Sequence, residues 1–368
     1  MLKQYKLRNY HLELIVSIII LNVIGILLIG SAKHSVQKTQ IMGMAMGIVA
    51  MLVISLMDYS FLLRFTWIYY VGTIGLLIAV KIFGDDAKGA TRWIKIAGIR
   101  FQPSEMAKIV IILFFACFFM KYQEKINTVP VLMGSFALLG GPFLLILKQP
   151  DMSTSIAVAL IFVSLLFIAG LSYKIILTVL GISIPVGIVG FTYVIRIAET
   201  ATDFHFGRIM AWLYPTDPKW AQTAAQQQNS IMAIGSGQLW GKGLNNSVAT
   251  SMKNANYIIE PQTDFIFSVA GEELGFIGTI TIIALLLFIV IDCILIGRKA
   301  KDLSGRLICC GMAALIGFQS IFNIFVATGL MPNTGIPLPF VSYGLTSLLT
   351  LYMGMGFVLN VGLQPKKY

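Results

Sequence analysis

The sequence predicts an all-α integral membrane protein, a bundle of about ten transmembrane helices with a large structured extracellular loop between helices 7 and 8. Three observations predict this fold. Of the 368 residues, 57% are hydrophobic and only 12% are charged, whereas soluble domains carry about 25% charged residues. Apolar stretches of bilayer-spanning length recur along the chain. One polar segment, about 197–264, is far longer than the other connections.

The apolar stretches define the predicted spans in chain order. They run approximately over residues 12–32, 40–57, 65–83, 104–120, 129–147, 152–170, 173–195, 265–296, 307–330 and 344–363. The eighth stretch exceeds one bilayer thickness, so we expect it to tilt or to extend beyond the membrane. We expect residues 1–368 to form a single polytopic membrane domain with residues 197–264 as its outer loop.

The predicted outer loop contains both aromatic residues and glycines. Its amphipathic pieces are Met210 to Tyr214 and Ile231 to Leu239, and a glycine-rich stretch covers Gly235 to Gly243. A loop of this length is usually functional or disordered. The aromatic residues and glycines favour an ordered loop.

The positions of basic residues predict the orientation in the membrane. An even number of spans places both termini on one side. Basic residues flank the first and last spans and crowd the loop after the eighth: Lys3, Lys6, Arg8, Arg298, Lys299, Lys301, Arg306, Lys366 and Lys367. The positive-inside rule then makes the N- and C-termini cytoplasmic. Lys88, Arg92, Lys95 and Arg100 would lie on the opposite side, where an anionic ligand would explain them.

The remaining composition argues against several other kinds of site. Despite a net charge of +11, the chain has no long basic run and no nucleic-acid motif, so membrane lipids and not nucleic acids are the expected partners. The four cysteines lie in or beside apolar helices and suggest neither a disulfide framework nor a metal site. His11, His34 and His205 lie at segment edges and form no cluster in the sequence.

Ionisable residues inside apolar helices are costly and are candidates for function. Glu105 and Lys108 are three residues apart at one end of the fourth span, so they share a helix face. They could form a neutral structural pair or line a polar cavity. Arg92 and Trp93 lie just upstream. Anchoring at the membrane interface would explain Trp93, but it would not explain Arg92.

Four further acidic residues stand at the ends of spans or within them. Asp151 precedes the sixth span and Asp264 precedes the eighth. Each could be only a helix cap. Glu272 and Glu273 follow about two turns after Asp264, deep enough that at least one of them needs a partner.

Several separated segments together match a known family. They are Gly89 to Trp93, Gln102 to Lys108, Gln149 to Asp151, Ala233 to Gly237, Gly241 to Gly243, Thr263 to Val269, Glu272 to Gly275, and Gly329 to Gly344. In order and placement the chain resembles the SEDS (shape, elongation, division and sporulation) proteins, the RodA and FtsW group of peptidoglycan glycosyltransferases. The short terminal tails make it most like an elongation-type RodA.

The resemblance implies a reaction at the outer face of the bacterial cytoplasmic membrane. The family polymerises lipid II into β-1,4 glycan strands, with inversion at the anomeric carbon, for cell elongation or division. A lipid II flippase or transporter is the alternative. The crowding of polar residues on the outer side favours the enzyme, because a flippase must expose its cavity to both sides.

The resemblance also implies roles for individual residues. Asp264 matches the essential aspartate of the family and is assigned as the general base. Substrate binding is assigned to six residues: Arg92, Lys108 and Lys242 are the candidate contacts of the diphosphate or sugar, Trp93 would stack on or position the substrate, and Glu105 and Asp151 would shape the cavity. Asp264 could also hold a divalent cation such as Mg²⁺ or Mn²⁺, and the sequence leaves that open. The expected partners are lipid II, the glycan linked to undecaprenyl diphosphate, and a class B penicillin-binding protein, a transpeptidase.

Overall fold

The computed structural model describes residues 10–87, 90–96, 99–149, 151–179, 181, 185, 204–246, 251–255 and 257–364. The helices, in chain order, are α1 (Leu12–Ala32), α2 (His34–Leu56), α3 (Tyr59–Leu62), α4 (Thr66–Phe83), α5 (Pro103–Lys121), α6 (Val129–Leu147), α7 (Met152–Ile168), α8 (Phe204–Leu213), α9 (Ala221–Ser236), α10 (Ile266–Arg298), α11 (Leu303–Ala327) and α12 (Leu345–Leu363). The strands are β1 (Asp85–Ala87), β2 (Ala90–Ile96) and β3 (Ile99–Phe101).

The described helices confirm the predicted fold class. Eight helices, counting Tyr59–Phe83 as one, are long and apolar enough to cross a membrane, and α7 is a shorter apolar helix of 17 residues. Together they account for all but the seventh predicted span. That span, 173–195, lies largely outside the described residues. Its described part includes residues 173–179, which are helical. The total of ten spans therefore stays a prediction.

The chain divides into two compact units. The first unit comprises Met1–Gly170, Ile282–Ser320 and Pro339–Tyr368. The second unit comprises Leu171–Thr281 and Ile321–Leu338. That the chain forms a single domain stays a prediction.

Helix α5 lies at the centre of the first unit. It packs against α4, α7 and α12, and most of its residues are buried. A helix that is apolar on all sides is expected in such a position. Helix α2 packs along α12, where Gly47 faces the ring of Tyr352 so closely that a Cβ at 47 would lie 2.3 Å from it. Small residues allow membrane helices to approach in this way.

Polar side chains of the first unit fix the segment that leads into α12. The Asn22 amide donates to the Phe340 carbonyl oxygen over 2.8 Å. The Gln40 amide donates to the Ser342 carbonyl oxygen over 3.2 Å. Buried amides need such partners. One part of the family-like segment 329–344 is thereby anchored to α1 and α2.

The second unit has a small core of its own. Ala233, Ile258, Phe265 and Val326 form a buried cluster covered by Met252 and Met331. Beside it, the Ser230 hydroxyl lies 2.5 Å from the Ser268 hydroxyl and donates to the Ala327 carbonyl oxygen. Two helices, α8 and α9, therefore occupy the described part of the predicted outer loop and pack against the chain around them.

Helix α10 is broken at Gly275, whose backbone has φ 67° and ψ −163°. A break frees carbonyl oxygens before it and N–H groups after it. Backbone N–H groups of Lys242 and Gly243 donate to the oxygens of Glu272 and Glu273 at 2.9 and 3.0 Å. In the other direction, the N–H groups of residues 276 and 277 donate to the carbonyl oxygens of residues 238 and 239. The glycine-rich segment 235–243 thus completes the broken helix.

Two glycines make this contact feasible. A Cβ at Gly241 would lie 2.1 Å from the Glu273 carbonyl oxygen, and a Cβ at Gly275 would lie 2.3 Å from the Gly241 nitrogen. Both have positive φ, at 80° and 67°. Only glycine adopts such conformations at no steric cost while allowing two backbones to approach this closely.

Candidate functional site

The short sheet between α4 and α5 positions Arg92. Strand β2 pairs antiparallel with β1 on one side and β3 on the other. From β2, Arg92 Nε donates to the Gln149 carbonyl oxygen over 3.1 Å, and Nη1 lies 3.9 Å from Asp151 Oδ1. The structure therefore brings together Arg92 and Asp151, which the sequence places 59 residues apart.

Trp93 is the next residue of β2 and is half-buried. Successive side chains of a strand point to opposite faces. Trp93 therefore faces away from the side of β2 that carries Arg92. Its role in substrate binding stays a prediction.

Asp151 is a helix cap that also has other partners. Its Oδ1 accepts the backbone N–H of Thr154 at the start of α7, so the capping alternative holds for this residue. Its Oδ2 accepts from the Gln102 amide over 3.3 Å. The residue is 4% exposed, and this burial makes its pairing with Arg92 stronger than a surface pair would be.

Glu105 and Lys108 form an ion pair inside the first unit. Lys108 Nζ lies 2.7 Å from Glu105 Oε1, and the side chains are 2% and 5% exposed. The structural pair considered from the sequence is therefore present. Removal of either partner would leave a buried charge uncompensated. Contact between Lys108 and substrate stays a prediction.

Asp264 lies directly before the N-terminal end of α10 in the second unit. Its backbone carbonyl oxygen accepts from the Asn323 amide over 2.8 Å, and the same amide donates to the Ile336 carbonyl oxygen. A Cβ at Gly335 would lie 3.4 Å from Asp264 Oδ2. The half-buried carboxylate of Asp264 is thus held beside the backbone of the segment 329–338.

Helix α8 also supports that segment. Arg208 Nη1 donates to the Asn333 carbonyl oxygen over 3.3 Å, and the Trp212 indole donates to the Gly329 carbonyl oxygen over 2.8 Å. The sequence analysis did not select Arg208. It lies two residues before the amphipathic piece Met210 to Tyr214 of the predicted outer loop, and this position offered only a weak signal.

Lys242 and Lys253 neutralise the two buried glutamates that follow Asp264. Lys242 Nζ lies 2.8 Å from Glu272 Oε1, and Lys253 Nζ pairs with Glu273 Oε1. The need for a partner, inferred from the sequence, is confirmed. The sequence analysis missed Lys253, which lies 20 residues before Glu273. Lys242 was expected to contact substrate; that role stays a prediction beside the observed ion pair.

A divalent cation at Asp264 stays a prediction. Among the described residues, one group of three histidine, cysteine or acidic side chains lies close enough together to share an ion. Asp264 does not belong to that group. Gly89 and Pro150, which belong to two of the family-like segments, lie outside the described residues.

The comparison with protein families identifies the relationship. Residues 5–367 match the model of the FtsW, RodA and SpoVE family, described as cell cycle proteins. This chain belongs to that family. The match covers nearly every residue, so it includes both the Arg92 group and the Asp264 group.

Relatives within the FtsW/RodA/SpoVE family carry related names. A probable peptidoglycan glycosyltransferase FtsW of Trichlorobacter lovleyi is 33% identical, over 98% of this chain and 94% of its own length. The peptidoglycan glycosyltransferase MrdB of Escherichia coli K12 is 34% identical, over 88% of this chain and 84% of its own length. Membership of the RodA-like rather than the FtsW-like branch stays a prediction.

Solved structures show the same fold. The rod shape determining protein RodA of Thermus thermophilus is 25% identical, with a TM-score of 0.68 over 96% of each chain. A chain from a peptidoglycan synthase complex is 24% identical, with a TM-score of 0.79 over 96% of this chain and 97% of that chain.

Proposed function

We propose that this chain is a peptidoglycan glycosyltransferase that polymerises lipid II into β-1,4 glycan strands for cell elongation or division. The observation that carries the proposal is the match to the family over residues 5–367. Relatives over 30% identical are named peptidoglycan glycosyltransferases, as expected from the sequence resemblance. The expected substrate chemistry is inversion at the anomeric carbon of a sugar linked to undecaprenyl diphosphate.

Asp264 is the proposed general base. The reaction requires a group that accepts the proton of the acceptor 4-hydroxyl. An ordinary aspartate titrates near pH 3.9, so it is ionised at neutral pH but only weakly basic. The half-buried position of Asp264 and its fixed backbone support the role, because a held carboxylate needs little reorganisation when the proton moves.

Cationic side chains are the proposed contacts of the departing diphosphate. Developing negative charge is stabilised by fixed cations and donors, and diphosphate is a good leaving group that needs no acid. We assign this task to Arg92, Lys108 and Lys242. Glu105 and Asp151 orient Lys108 and Arg92 through the observed ion pairs, and Trp93 positions the sugar or the lipid.

The proposed location is a bacterial cytoplasmic membrane, with both termini cytoplasmic and the reaction on the outer face. The positive-inside rule supports this orientation, although the basic residues at the two ends lie outside the described residues. The proposed partner is a class B penicillin-binding protein, as the family resemblance implies. A chain of the same fold occurs in a peptidoglycan synthase complex.

Purified protein with labelled lipid II tests the function. We expect a ladder of glycan strands on a gel, and we expect Asp264→Asn to abolish it without lowering the thermal unfolding temperature. Asparagine keeps the shape of the side chain but cannot accept the proton. The matched control is Asp217→Asn, because Asp217 is an exposed aspartate of the same predicted loop that accepts the Lys219 N–H.

Two outcomes would contradict parts of the proposal. Full activity of Asp264→Asn would remove the base assignment. Movement of lipid II across vesicles without any glycan product, in wild-type protein, would favour the flippase alternative. A folding defect in Asp264→Asn alone would instead indicate a structural role at the start of α10.

A further inference from the structure

His11, Glu13 and Asp292 come together in the first unit, where α1 begins. His11 Nδ1 lies 3.1 Å from Glu13 Oε1 and 3.9 Å from Asp292 Oδ1. One ligand atom from each of the three lies within 4.8 Å of the others. No local sequence pattern indicated this group, because Asp292 follows His11 by 281 residues.

Asp292 is a buried acid in a strongly apolar helix. Its side chain is 9% exposed, and its Oδ2 has no hydrogen-bond partner among the described residues. A buried carboxylate oxygen without a partner is costly, and an ionisable residue at this depth calls for a functional explanation. The proposed transfer reaction does not use Asp292, which lies in the C-terminal part of α10 within the first unit.

The ring of His11 is held in place by α12. A Cβ at Gly362 would lie 2.9 Å from His11 Cδ2 and 3.5 Å from Nε2. The side chain is 18% exposed. The imidazole therefore packs against Gly362 of α12, with Nδ1 towards the two carboxylates. One carboxylate, Glu13, comes from α1, and the other, Asp292, comes from α10.

A protonated His11 would satisfy only part of this group. The Nδ1–H of an imidazolium can donate to Glu13 or to Asp292 Oδ1, but it leaves Asp292 Oδ2 as it is. Lys299 acts electrostatically on both carboxylates, from an exposed position. A cation between the three side chains can instead bind both oxygens of Asp292, and a neutral imidazole with two carboxylates carries the charge that balances a divalent ion.

We propose that His11, Glu13 and Asp292 bind one divalent transition-metal ion of the Zn²⁺ or Mn²⁺ type. One imidazole nitrogen and two carboxylates suit these ions better than Mg²⁺ or Ca²⁺, which prefer oxygen ligands alone. Metal–ligand distances are about 2.1 Å, so the group has to close slightly around the ion. Glu13 is exposed and can move to do so. The bound ion joins the start of α1 to α10.

Metal binding to the full-length protein in detergent tests the proposal. After removal of metals with EDTA, the protein is titrated separately with ZnCl₂, MnCl₂ and MgCl₂, and bound metal is measured by elemental analysis. We expect one Zn²⁺ or Mn²⁺ per chain and a higher unfolding temperature, since a ligand of the folded state stabilises it. Asp292→Asn and His11→Ala should abolish both effects, and Glu13→Gln should weaken binding about tenfold or more.

Control variants separate this site from other metal ligands. His34→Gln removes an exposed histidine elsewhere, and Cys310→Ser removes a half-buried thiol that Zn²⁺ could bind. Both should bind metal like the wild type, whereas Gly362→Ala should weaken binding by displacing the ring of His11. If Asp292→Asn fails to fold, the exposed Glu13→Gln still decides the matter.

The proposal is overturned if the wild type binds neither Zn²⁺ nor Mn²⁺ at one ion per chain. It is also overturned if Glu13→Gln and His11→Ala bind as tightly as the wild type, or if only Cys310→Ser loses the ion. Asp292→Asn that is more stable than the wild type at every metal concentration would indicate an unpaired acid without a metal.

Discussion

Buried acidic residues of this chain are paired with lysines in more than one way. Glu105 pairs with Lys108 one helical turn away, and Glu272 and Glu273 pair with lysines of the segment 242–253. The first pair follows from the sequence because residues three apart share a helix face. The other pairs depend on how the loop returns to α10, which no local pattern specifies.

Variants of the Glu105 and Lys108 pair can separate effects on stability from effects on catalysis. Lys108→Met leaves Glu105 buried without a partner, so we expect a loss of about 3 kcal/mol in the free energy of unfolding. The double variant Glu105→Gln with Lys108→Met carries no charge and should recover most of that stability. If Lys108 contacts the diphosphate, both variants lose lipid II polymerisation. Thermal unfolding and the glycan gel measure the two effects.

Normal polymerisation by the double variant would remove the substrate role of Lys108. The control is Lys219→Met, which removes an exposed lysine that lies over the Trp220 ring. That change should leave both measurements close to the wild type, because exposed charges contribute little to stability.

The environment of Asp58, between α2 and α3, predicts that the stability of the protein depends on pH. Burial raises the pKa of Asp58, but hydrogen bonds from Ser60 and Gln364 and the charge of Lys301 outweigh it and lower the pKa below its ordinary value. A carboxyl with a lowered folded-state pKa stabilises the protein above the unfolded-state value and loses that contribution as the pH falls through the folded-state value.

We therefore expect the stability difference between wild type and Asp58→Asn to be largest at neutral pH. It should shrink below about pH 4, where the aspartate of the unfolded chain is protonated. Asparagine can still accept the Ser60 N–H that Asp58 accepts at the start of α3. Unfolding in detergent at several pH values measures the difference, and a difference that does not change with pH would contradict the prediction.

At the scale of elements, the broken helix α10 depends on close backbone approach. Gly241→Ala would place a methyl group 2.1 Å from the Glu273 carbonyl oxygen at a positive φ. We expect a loss of about 2 kcal/mol or more in the free energy of unfolding. Polymerisation should fall as well, since the same segment carries Lys242.

Gly235 offers the matched control. It lies within α9, and a Cβ there would meet no atom within 4 Å. Gly235→Ala should be neutral or stabilising by about 0.5–1 kcal/mol, because alanine favours the helix. Equal unfolding temperatures for the two variants would show that the contact at Gly241 does not hold α10.

At the scale of the whole molecule, helix α11 is a candidate surface for binding the proposed partner, the transpeptidase. Its small residues could serve either docking or internal packing, because small side chains let helices approach closely in both cases: Gly311, Ala313, Ala314 and Gly317. Gly311 packs inside the first unit, where a Cβ would lie 2.7 Å from Ile112, and Ala313 is 3% exposed. Internal packing is therefore correct for these two. Ala314 is half-buried and remains a candidate for the interface.

Ala314→Trp tests whether α11 contacts the transpeptidase. We expect weaker co-purification with a class B penicillin-binding protein while the isolated chain stays folded, because a bulky side chain prevents close helix approach. Ile68→Trp is the control, at a position of α4 that is 67% exposed, and it should leave binding unchanged. Normal co-purification of Ala314→Trp would place the interface elsewhere.

More of the fold than of the candidate site could be predicted from the sequence. Apolar length and composition predicted the membrane helices, since bilayer thickness constrains them directly. The strands β1 to β3 were not predicted. Strands β1 and β3 have three residues each and are too short for a periodic pattern, and the seven residues of β2 were not recognised as a strand. The pairing of Arg92 with Asp151, the break at Gly275 and the grouping of His11 with Asp292 rest on contacts distant in sequence. Residue chemistry selects such residues but does not say which of them meet.

The backbone hydrogen bonds that complete the broken helix α10 restrict where residues can be inserted into this chain or deleted from it. Four backbone hydrogen bonds tie residues 238, 239, 242 and 243 to residues 272, 273, 276 and 277. Deleting or inserting one residue between 239 and 242 would shift one pair of partners while the other stays in place, so that polar backbone groups of a membrane helix would lose their bonds. We therefore expect insertions and deletions in this part of the chain to be tolerated only outside residues 238–243.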